Sequence, residues 1–124
     1  MTDEVQKAAA NLREYALSLP EAYEDFPWGE LVIKVNKKIF VFISSEAELE
    51  KGFRLGVKLP VSSIQALNLP FTQPSGYGLG KAGWVTAHFT LHEPLPTELL
   101  ISWIEESYRA IAPKKLVRQL ESSN

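Results

Sequence analysis

The sequence predicts a two-layer α+β fold in which an antiparallel sheet carries helices packed on one face. Two amphipathic helical patterns, at residues 3–19 and 96–111, repeat apolar residues at intervals of three and four. Between them lie short runs that alternate apolar and polar residues, which is typical of antiparallel strands with one buried face. The strands cluster instead of each alternating with a long helix, and the resulting order, α-β-β-β-α-β-β-α-α, favours α+β.

The first helix is expected to end at Pro20, and residues 20–30 are expected to form a loop. A β-hairpin follows, with strands at 31–35 and 38–43, because Asn36-Lys37 between them contains an Asn that tolerates the left-handed conformation of a two-residue turn. Strict alternation from that turn assigns one face of the hairpin to Leu31, Ile33, Val35, Lys38, Phe40 and Phe42. The other face receives Val32, Lys34, Ile39, Val41 and Ile43.

Two further strands are expected at residues 53–59 and 84–91, where every second residue is apolar. The inward-facing set of these strands is Phe53, Leu55, Val57, Leu59, Val85, Ala87, Phe89 and Leu91. A short helix is expected at residues 60–68 and a loop rich in Pro and Gly at residues 69–83. Pro113 is expected to begin a last short helix.

The composition indicates one globular domain spanning residues 1–124, since 45% of the chain is hydrophobic and 23% is charged. The chain contains no cysteine, which excludes disulfides, thiolate metal sites and a catalytic thiol, and favours a reducing cytoplasm. No apolar run approaches the ~20 residues of a membrane span. The N-terminal residues are acidic where a signal peptide is basic, so we expect no association with a membrane.

No pattern in the sequence predicts a cofactor, a metal ion or a catalytic residue. The segment Gly78-Leu79-Gly80-Lys81-Ala82-Gly83 matches G-x-G-x-x-G, but a strand is expected after it where a dinucleotide site requires a helix, so a turn is expected instead. His88 and His92 would lie roughly 13 Å apart on a strand, too far to chelate one metal ion. The expectation is therefore a protein that is not an enzyme.

The outward face of the sheet is the most informative predicted surface. It combines cationic and aromatic residues with smaller polar and apolar ones, namely Lys34, Arg54, Lys58, Trp84, Thr86 and His88 with Val32, Ile39 and Val41. A basic face with aromatic residues is typical of nucleic-acid binding, although three cations are few for that role, and a solvated face is the alternative. A second basic cluster, on the predicted last helix, consists of Lys114, Lys115 and Arg118. It is a second candidate for nucleic-acid contact, and the alternative is that these residues serve the helix dipole and solubility.

Several segments between about residues 10 and 120 together resemble the MmcQ/YjbR family of small bacterial domains. They are Leu19-Pro20-Glu21, Glu24-Asp25-Phe26-Pro27-Trp28-Gly29, Lys34-Val35-Asn36-Lys37-Lys38-Ile39-Phe40, Pro74-Ser75-Gly76-Tyr77, Lys81 with Trp84, Leu95-Pro96-Thr97-Glu98-Leu99-Leu100, and Ser107-Tyr108. Where the family usually has a polar stretch richer in Lys or Asn, this chain has Gly78-Leu79-Gly80. That departure removes residues that could contact phosphates.

The resemblance implies a two-layer α+β domain with the layout of secretion chaperones and frataxin-like proteins. It also implies DNA binding through wing-like elements, since members of the family are often described as DNA-binding, and it carries no catalytic residues. The alternative is a protein-interaction module of the secretion-chaperone type. Two structural roles are open for the aromatic loop residues: Phe26 and Trp28 could cover the edge of the core, or a small pocket could form around Trp28, Tyr77 and Trp84.

Overall fold

The computed structural model describes residues 2–76, 78–90 and 93–122. Four α-helices lie in these ranges: α1 (Thr2–Ser18), α2 (Ser63–Ala66), α3 (Thr97–Ile111) and α4 (Lys114–Ser122). Six strands accompany them: β1 (Tyr23–Asp25), β2 (Val32–Val35), β3 (Lys38–Ile43), β4 (Phe53–Lys58), β5 (Thr72–Pro74) and β6 (Trp84–Phe89). Two 3₁₀ helices, Glu46–Lys51 and Leu79–Ala82, precede β4 and β6.

The six strands form one antiparallel sheet in the order β1-β2-β3-β4-β6-β5. Helix α3 lies across β3 and β4 on one face, and α1 packs against α3. The α+β fold with helices packed on one face of an antiparallel sheet is therefore confirmed. Within the described ranges, no helix combines the length and the apolar character that a bilayer crossing requires.

Two strands lie in segments that were expected to be loops. Strand β1 forms within residues 20–30 and adds to the sheet beside β2, with Glu24 opposite Ile33. Strand β5 forms within residues 69–83 and pairs with β6, although it ends in Pro74. Both strands have only three residues and lie at the two edges of the sheet. Strands this short show no periodic pattern in the sequence, and they form because they pair with a neighbouring strand in the folded protein. The helix expected at residues 60–68 is confined to α2.

The hairpin of β2 and β3 turns at Asn36-Lys37, as predicted, and both residues have positive φ. The predicted register is confirmed for the first two pairs, Val35 with Lys38 and Lys34 with Ile39, and is wrong beyond them, because Ile33 lies opposite Val41 instead of Phe40. Phe40 is the extra residue of a β-bulge. Val41 is consequently buried in the core instead of facing outward, and Phe42 takes the outward position opposite Val32.

Ser107, on α3, bonds the backbone at the bulge. Its buried hydroxyl donates to the carbonyl of Phe40 at 2.5 Å and accepts from the backbone N–H of Lys58 at 2.9 Å. The neighbouring Tyr108 packs edge-on against the Phe40 ring and donates its hydroxyl hydrogen to the carbonyl of Pro20 at 2.7 Å. Three of the segments that resemble the family therefore meet here, and together they fix α3 on the sheet.

The core fills the space between the sheet and the helices. It is built from the inward residues of the strands and the apolar stripes of α1 and α3, with Leu116 and Leu120 added from α4. The inward sets predicted for β4 and β6 are confirmed for the described residues, while Leu91 lies outside them. One face of the sheet is thus covered, and the other carries the candidate site.

Candidate functional site

The face of the sheet opposite α3, here called the open face, carries the cationic residues that the sequence predicted. Arg54 lies directly opposite His88, and Lys58 lies opposite Trp84. Lys34 lies opposite Ile39 on the neighbouring strands. Residues opposite each other in an antiparallel pair share a face, so these side chains are brought to one surface.

Carboxylates neutralise part of this charge. Lys34 forms an ion pair with Asp25 of β1 at 2.7 Å. The hydrogen bond from Lys34 lowers the pKa of Asp25 below its ordinary value, and the same bond raises the pKa of Lys34. Arg54 lies 3.5 Å from Glu30 and 3.9 Å from Glu48. Among the described residues, Lys58 has no ion pair with a carboxylate, whereas His88 interacts electrostatically with Glu93.

Trp84 does not serve as an exposed aromatic platform. Only 7% of its surface is accessible, and its ring packs edge-on against Phe42 at a centroid distance of 5.5 Å. A base could not stack on a ring buried in this way. The prediction that Trp84 lies on the outward side of β6 is consistent with the register, but the side chain acts as packing.

A small pocket lies at the end of the open face where β4 begins. It has a volume of about 100 Å³ and is lined by Ser44, Glu48, Lys51, Gly52, Arg54 and His88. Ser44 accepts the backbone N–H of Arg54 at 2.9 Å and so fixes the start of β4. Sequence reasoning placed Arg54 and His88 on one face but missed Lys51, since the 3₁₀ helix that carries it leaves no periodic pattern.

A larger cleft of about 500 Å³ runs along α1 outside the sheet. Its walls come from one side of α1 and from the segment after β3, with the residues Gln6, Ala9, Ala10, Arg13, Glu14, Leu17, Ser44 and Leu49. Arg13 pairs with Glu24 of β1 beside it, which links the helix to the edge strand. The volume falls in the range of small-molecule sites, but the described lining brings no convergent set of polar groups together.

The loop between β1 and β2 exposes two aromatic side chains. Trp28 is 72% accessible and Phe26 is 54% accessible, so the prediction that they cover the edge of the core is wrong. A tight turn holds them outward: the N–H of Gly29 bonds the carbonyl of Phe26 at 3.3 Å, and Gly29 has a φ of +78°. The N–H of Phe26 also bonds the carboxylate of Asp25 at 2.8 Å.

The pocket predicted around Trp28, Tyr77 and Trp84 stays a prediction, because one of its three residues is not described. Trp28 points into solvent and Trp84 is buried, and neither lines the two clefts above. Tyr77 lies outside the described residues. In the glycine-rich segment, Gly78 and Gly83 both adopt left-handed conformations around the 3₁₀ helix, as expected of a turn.

The second predicted basic cluster belongs to the other layer of the fold. Lys114, Lys115 and Arg118 lie on α4, which packs against α3. These cations therefore belong to the helical layer, whereas Arg54 and Lys58 lie on the open face of the sheet. Among the described residues, no group of three or more metal-ligating side chains comes together.

A second apolar surface, which sequence reasoning missed, lies at α2. Val61 and Ile64 are 84% and 80% accessible, the highest values among the large apolar residues described. Glu106 of α3 fixes this turn by accepting the N–H groups of Val61 and Ser62, each at 3.0 Å, and the hydroxyl of Ser62 at 2.6 Å. Because α2 follows the far end of β4, this surface and the aromatic loop lie at opposite ends of the sheet.

The chain is similar to a known protein family and to a solved crystal structure. The model of the YjbR family matches residues 17–110. The crystal structure of the Deinococcus radiodurans protein DR2400, whose domain is described as DUF419, superposes with a TM-score of 0.62 at 29% sequence identity. The match covers 80% of this chain and 74% of that one. No curated protein matches the sequence significantly.

Proposed function

The chain belongs to the YjbR family, and from that premise we propose that it is a non-enzymatic binding domain of the cytoplasm whose ligand is another protein. The partner engages the aromatic loop, defined as residues 26–30, together with the neighbouring strand β1. The exposure of Trp28 is the single observation that carries this proposal.

An exposed tryptophan on a fixed turn has the properties of an interface anchor. Tryptophan is enriched among the residues that dominate binding energy, and it buries 150–250 Å² when it is covered. The turn around Gly29 limits the conformations of Trp28 before binding, which reduces the entropy that association would cost. In the unbound domain the ring contributes little to the fold, because 72% of it is accessible.

The neighbouring strand defines the chemistry of the partner. Strand β1 is the terminal strand of the sheet, so no strand formed by the described residues lies beside its outer edge. An extended segment of a partner can pair with such an edge through backbone hydrogen bonds, while the side chains supply specificity. We therefore commit to an extended peptide segment with an apolar side chain that packs against Trp28 and the half-exposed Tyr23.

A photo-crosslinking residue in place of Tyr23 tests this proposal. Crosslinking in nuclease-treated lysate identifies the partner, and the purified partner is then titrated into the wild-type domain by calorimetry. Trp28→Ala should weaken binding at least about tenfold, whereas Ile64→Ala, which removes a comparably exposed side chain at the far end of the sheet, should leave it unchanged. Equal affinity of the wild-type and Trp28→Ala domains for the partner would overturn the proposal. Crosslinks that form in untreated lysate but not in nuclease-treated lysate would overturn it as well.

Nucleic-acid binding on the open face is the second candidate. The observation that favours it is that Lys58 has no ion pair with a described carboxylate, while Arg54 lies 3.5 Å or more from both of its carboxylates. If the face makes about three phosphate contacts, a plot of the logarithm of the association constant against the logarithm of the salt concentration should have a slope of roughly −2 to −3.

Charge reversal distinguishes this candidate from the first. Arg54→Glu combined with Lys58→Glu should abolish DNA binding in low salt and leave the folded state intact, since both side chains point outward. Lys114→Glu combined with Lys115→Glu is the matched control and should have no effect. If the control variant loses binding and the test variant keeps it, the DNA contact lies on α4; if the wild-type domain binds no DNA in low salt, the candidate is eliminated.

A further inference from the structure

We propose that the small pocket at the start of β4, lined by Ser44, Glu48, Lys51, Gly52, Arg54 and His88 and here called the anion pocket, binds a phosphate group. This inference goes beyond the partner-protein proposal and does not depend on it. The phosphate can be free or can be the terminal group of a larger molecule.

The guanidinium of Arg54 provides the main donor. Its side chain is half-exposed, and its two carboxylate neighbours both approach the same nitrogen, Nη2, at the long distances of 3.5 and 3.9 Å. Nε and Nη1 of Arg54 donate no hydrogen bond to any of the described residues. A guanidinium with free N–H groups can bind a phosphate through two parallel hydrogen bonds.

His88 and Lys51 add donors from two other elements. His88 lies directly opposite Arg54 on β6, and Lys51 ends the 3₁₀ helix that closes the pocket. Gly52 leaves the imidazole uncovered, because a Cβ at that position would lie 3.4 Å from Nε2 of His88. The fold also requires this glycine, since its φ is +111° and a Cβ would lie 2.5 Å from the carbonyl oxygen of Phe89.

The one carboxylate in the lining, that of Glu48, is engaged in capping the 3₁₀ helix. Its Oε1 accepts the backbone N–H of Ser45 at 3.0 Å and the hydroxyl of Ser45 at 3.2 Å. Its other oxygen, Oε2, is the one that lies 3.9 Å from Arg54. Lys51 and Arg54 against Glu48 give the lining residues a net positive charge, and Glu30, outside the lining, lies 3.5 Å from Arg54.

The volume suits a small polyatomic anion. A space of about 100 Å³ holds several waters, since one water needs only about 10–15 Å³ measured in the same way. It is too small for a nucleoside, so a larger molecule would place only its terminal phosphate in the pocket. Two cations, Lys51 and Arg54, and the imidazole of His88 surround this space from three different elements, which distinguishes the pocket from scattered surface lysines.

Titration with inorganic phosphate, followed by NMR of the backbone amides and of the His88 ring, tests the proposal. Sodium chloride holds the ionic strength constant. We expect saturable shifts at the amides of Ser45 and Gly52 and at the His88 ring, with a dissociation constant in the millimolar range. Arg54→Gln and Lys51→Gln should each weaken binding about tenfold or more, while Arg118→Gln, on α4, should leave it unchanged.

An oligonucleotide with a 5′-phosphate, compared with the same oligonucleotide with a 5′-hydroxyl, distinguishes the sources of the phosphate. Tighter binding of the phosphorylated oligonucleotide than of the 5′-hydroxyl form identifies a terminal phosphate as the ligand, whereas equal binding of the two oligonucleotides identifies the free anion. Shifts that rise linearly with phosphate, or an affinity that neither Arg54→Gln nor Lys51→Gln changes, would overturn the proposal. Trp28→Ala should not affect phosphate binding, so failure of the partner-protein proposal would be seen separately.

Discussion

Replacing Ser107 by alanine should destabilise the fold more than any other loss of a single hydroxyl described here. The substitution removes the donor to the carbonyl of Phe40 and the acceptor for the N–H of Lys58, at a site where Ser107 is fully buried. Each unsatisfied buried backbone group costs about 1–3 kcal/mol, and alanine recovers a few tenths through its helix propensity. The free energy of unfolding should therefore fall by about 2–4 kcal/mol, a large part of the ~5–15 kcal/mol of a typical domain.

Urea denaturation followed by tryptophan fluorescence measures this loss. The midpoint should move down by about 1–2 M with an unchanged slope, because the surface exposed on unfolding stays the same. Ser102→Ala is the matched control on α3, since the hydroxyl of Ser102 bonds only the exposed carbonyl of Leu99 within its own helix. If Ser107→Ala and Ser102→Ala are equally stable, the bulge does not depend on Ser107 and the reasoning is wrong.

Three further predictions follow from the contacts described above. Trp28→Ala should change the free energy of unfolding by less than about 0.5 kcal/mol, whereas Trp103→Ala, in the core, should cost about 3–5 kcal/mol in the same urea assay. The pKa of Asp25, measured by carboxyl NMR, should lie below its ordinary value and should rise in Lys34→Met, and an ordinary pKa in the wild type would contradict this prediction. Because the pKa of Asp25 is lower in the folded state, the ion pair with Lys34 stabilises the fold above the unfolded pKa of about 3.9, and this stabilisation is lost as the pH falls through the folded-state pKa. Glu106→Ala should accelerate hydrogen exchange at the two amides that its carboxylate accepts, and unchanged exchange there would show that the turn before α2 is held by other contacts.

Prediction from sequence was successful where a repeating pattern spans many residues. The stripes of α1 and α3 and the alternation of β4 and β6 place the core, because burial of one face imposes a period on the residues that form it. It failed at β1 and β5, which have three residues each and are held by pairing with a neighbour rather than by a pattern of their own. It also failed beyond Phe40, because the single extra residue at the bulge reverses the side of the sheet that Val41, Phe42 and Ile43 face, so that Val41 and Ile43 are buried in the core.

The candidate site was also predicted only in part from the sequence. The alternation of β4 and β6 is sufficient to predict that Arg54 and His88 share a face with Lys58 and Trp84, and the register is consistent with it. The sequence does not indicate that Trp84 is buried while Trp28 is exposed, because both are single aromatic residues beside glycine, and their exposure depends on which loops cross the sheet.

The sequence by itself determined the α+β class, the family, the helical layer and the composition of the core. These properties depend on local periodicity and on motifs that lie within short segments. Only the tertiary structure decided the edge strands, the bulge capped by Ser107, the pairing of Lys34 with Asp25 and the convergence of Lys51 with Arg54 and His88. Each of these joins residues that are distant in the chain or shifts a register by one position, and such relations are set by the packing of whole elements rather than by any local pattern.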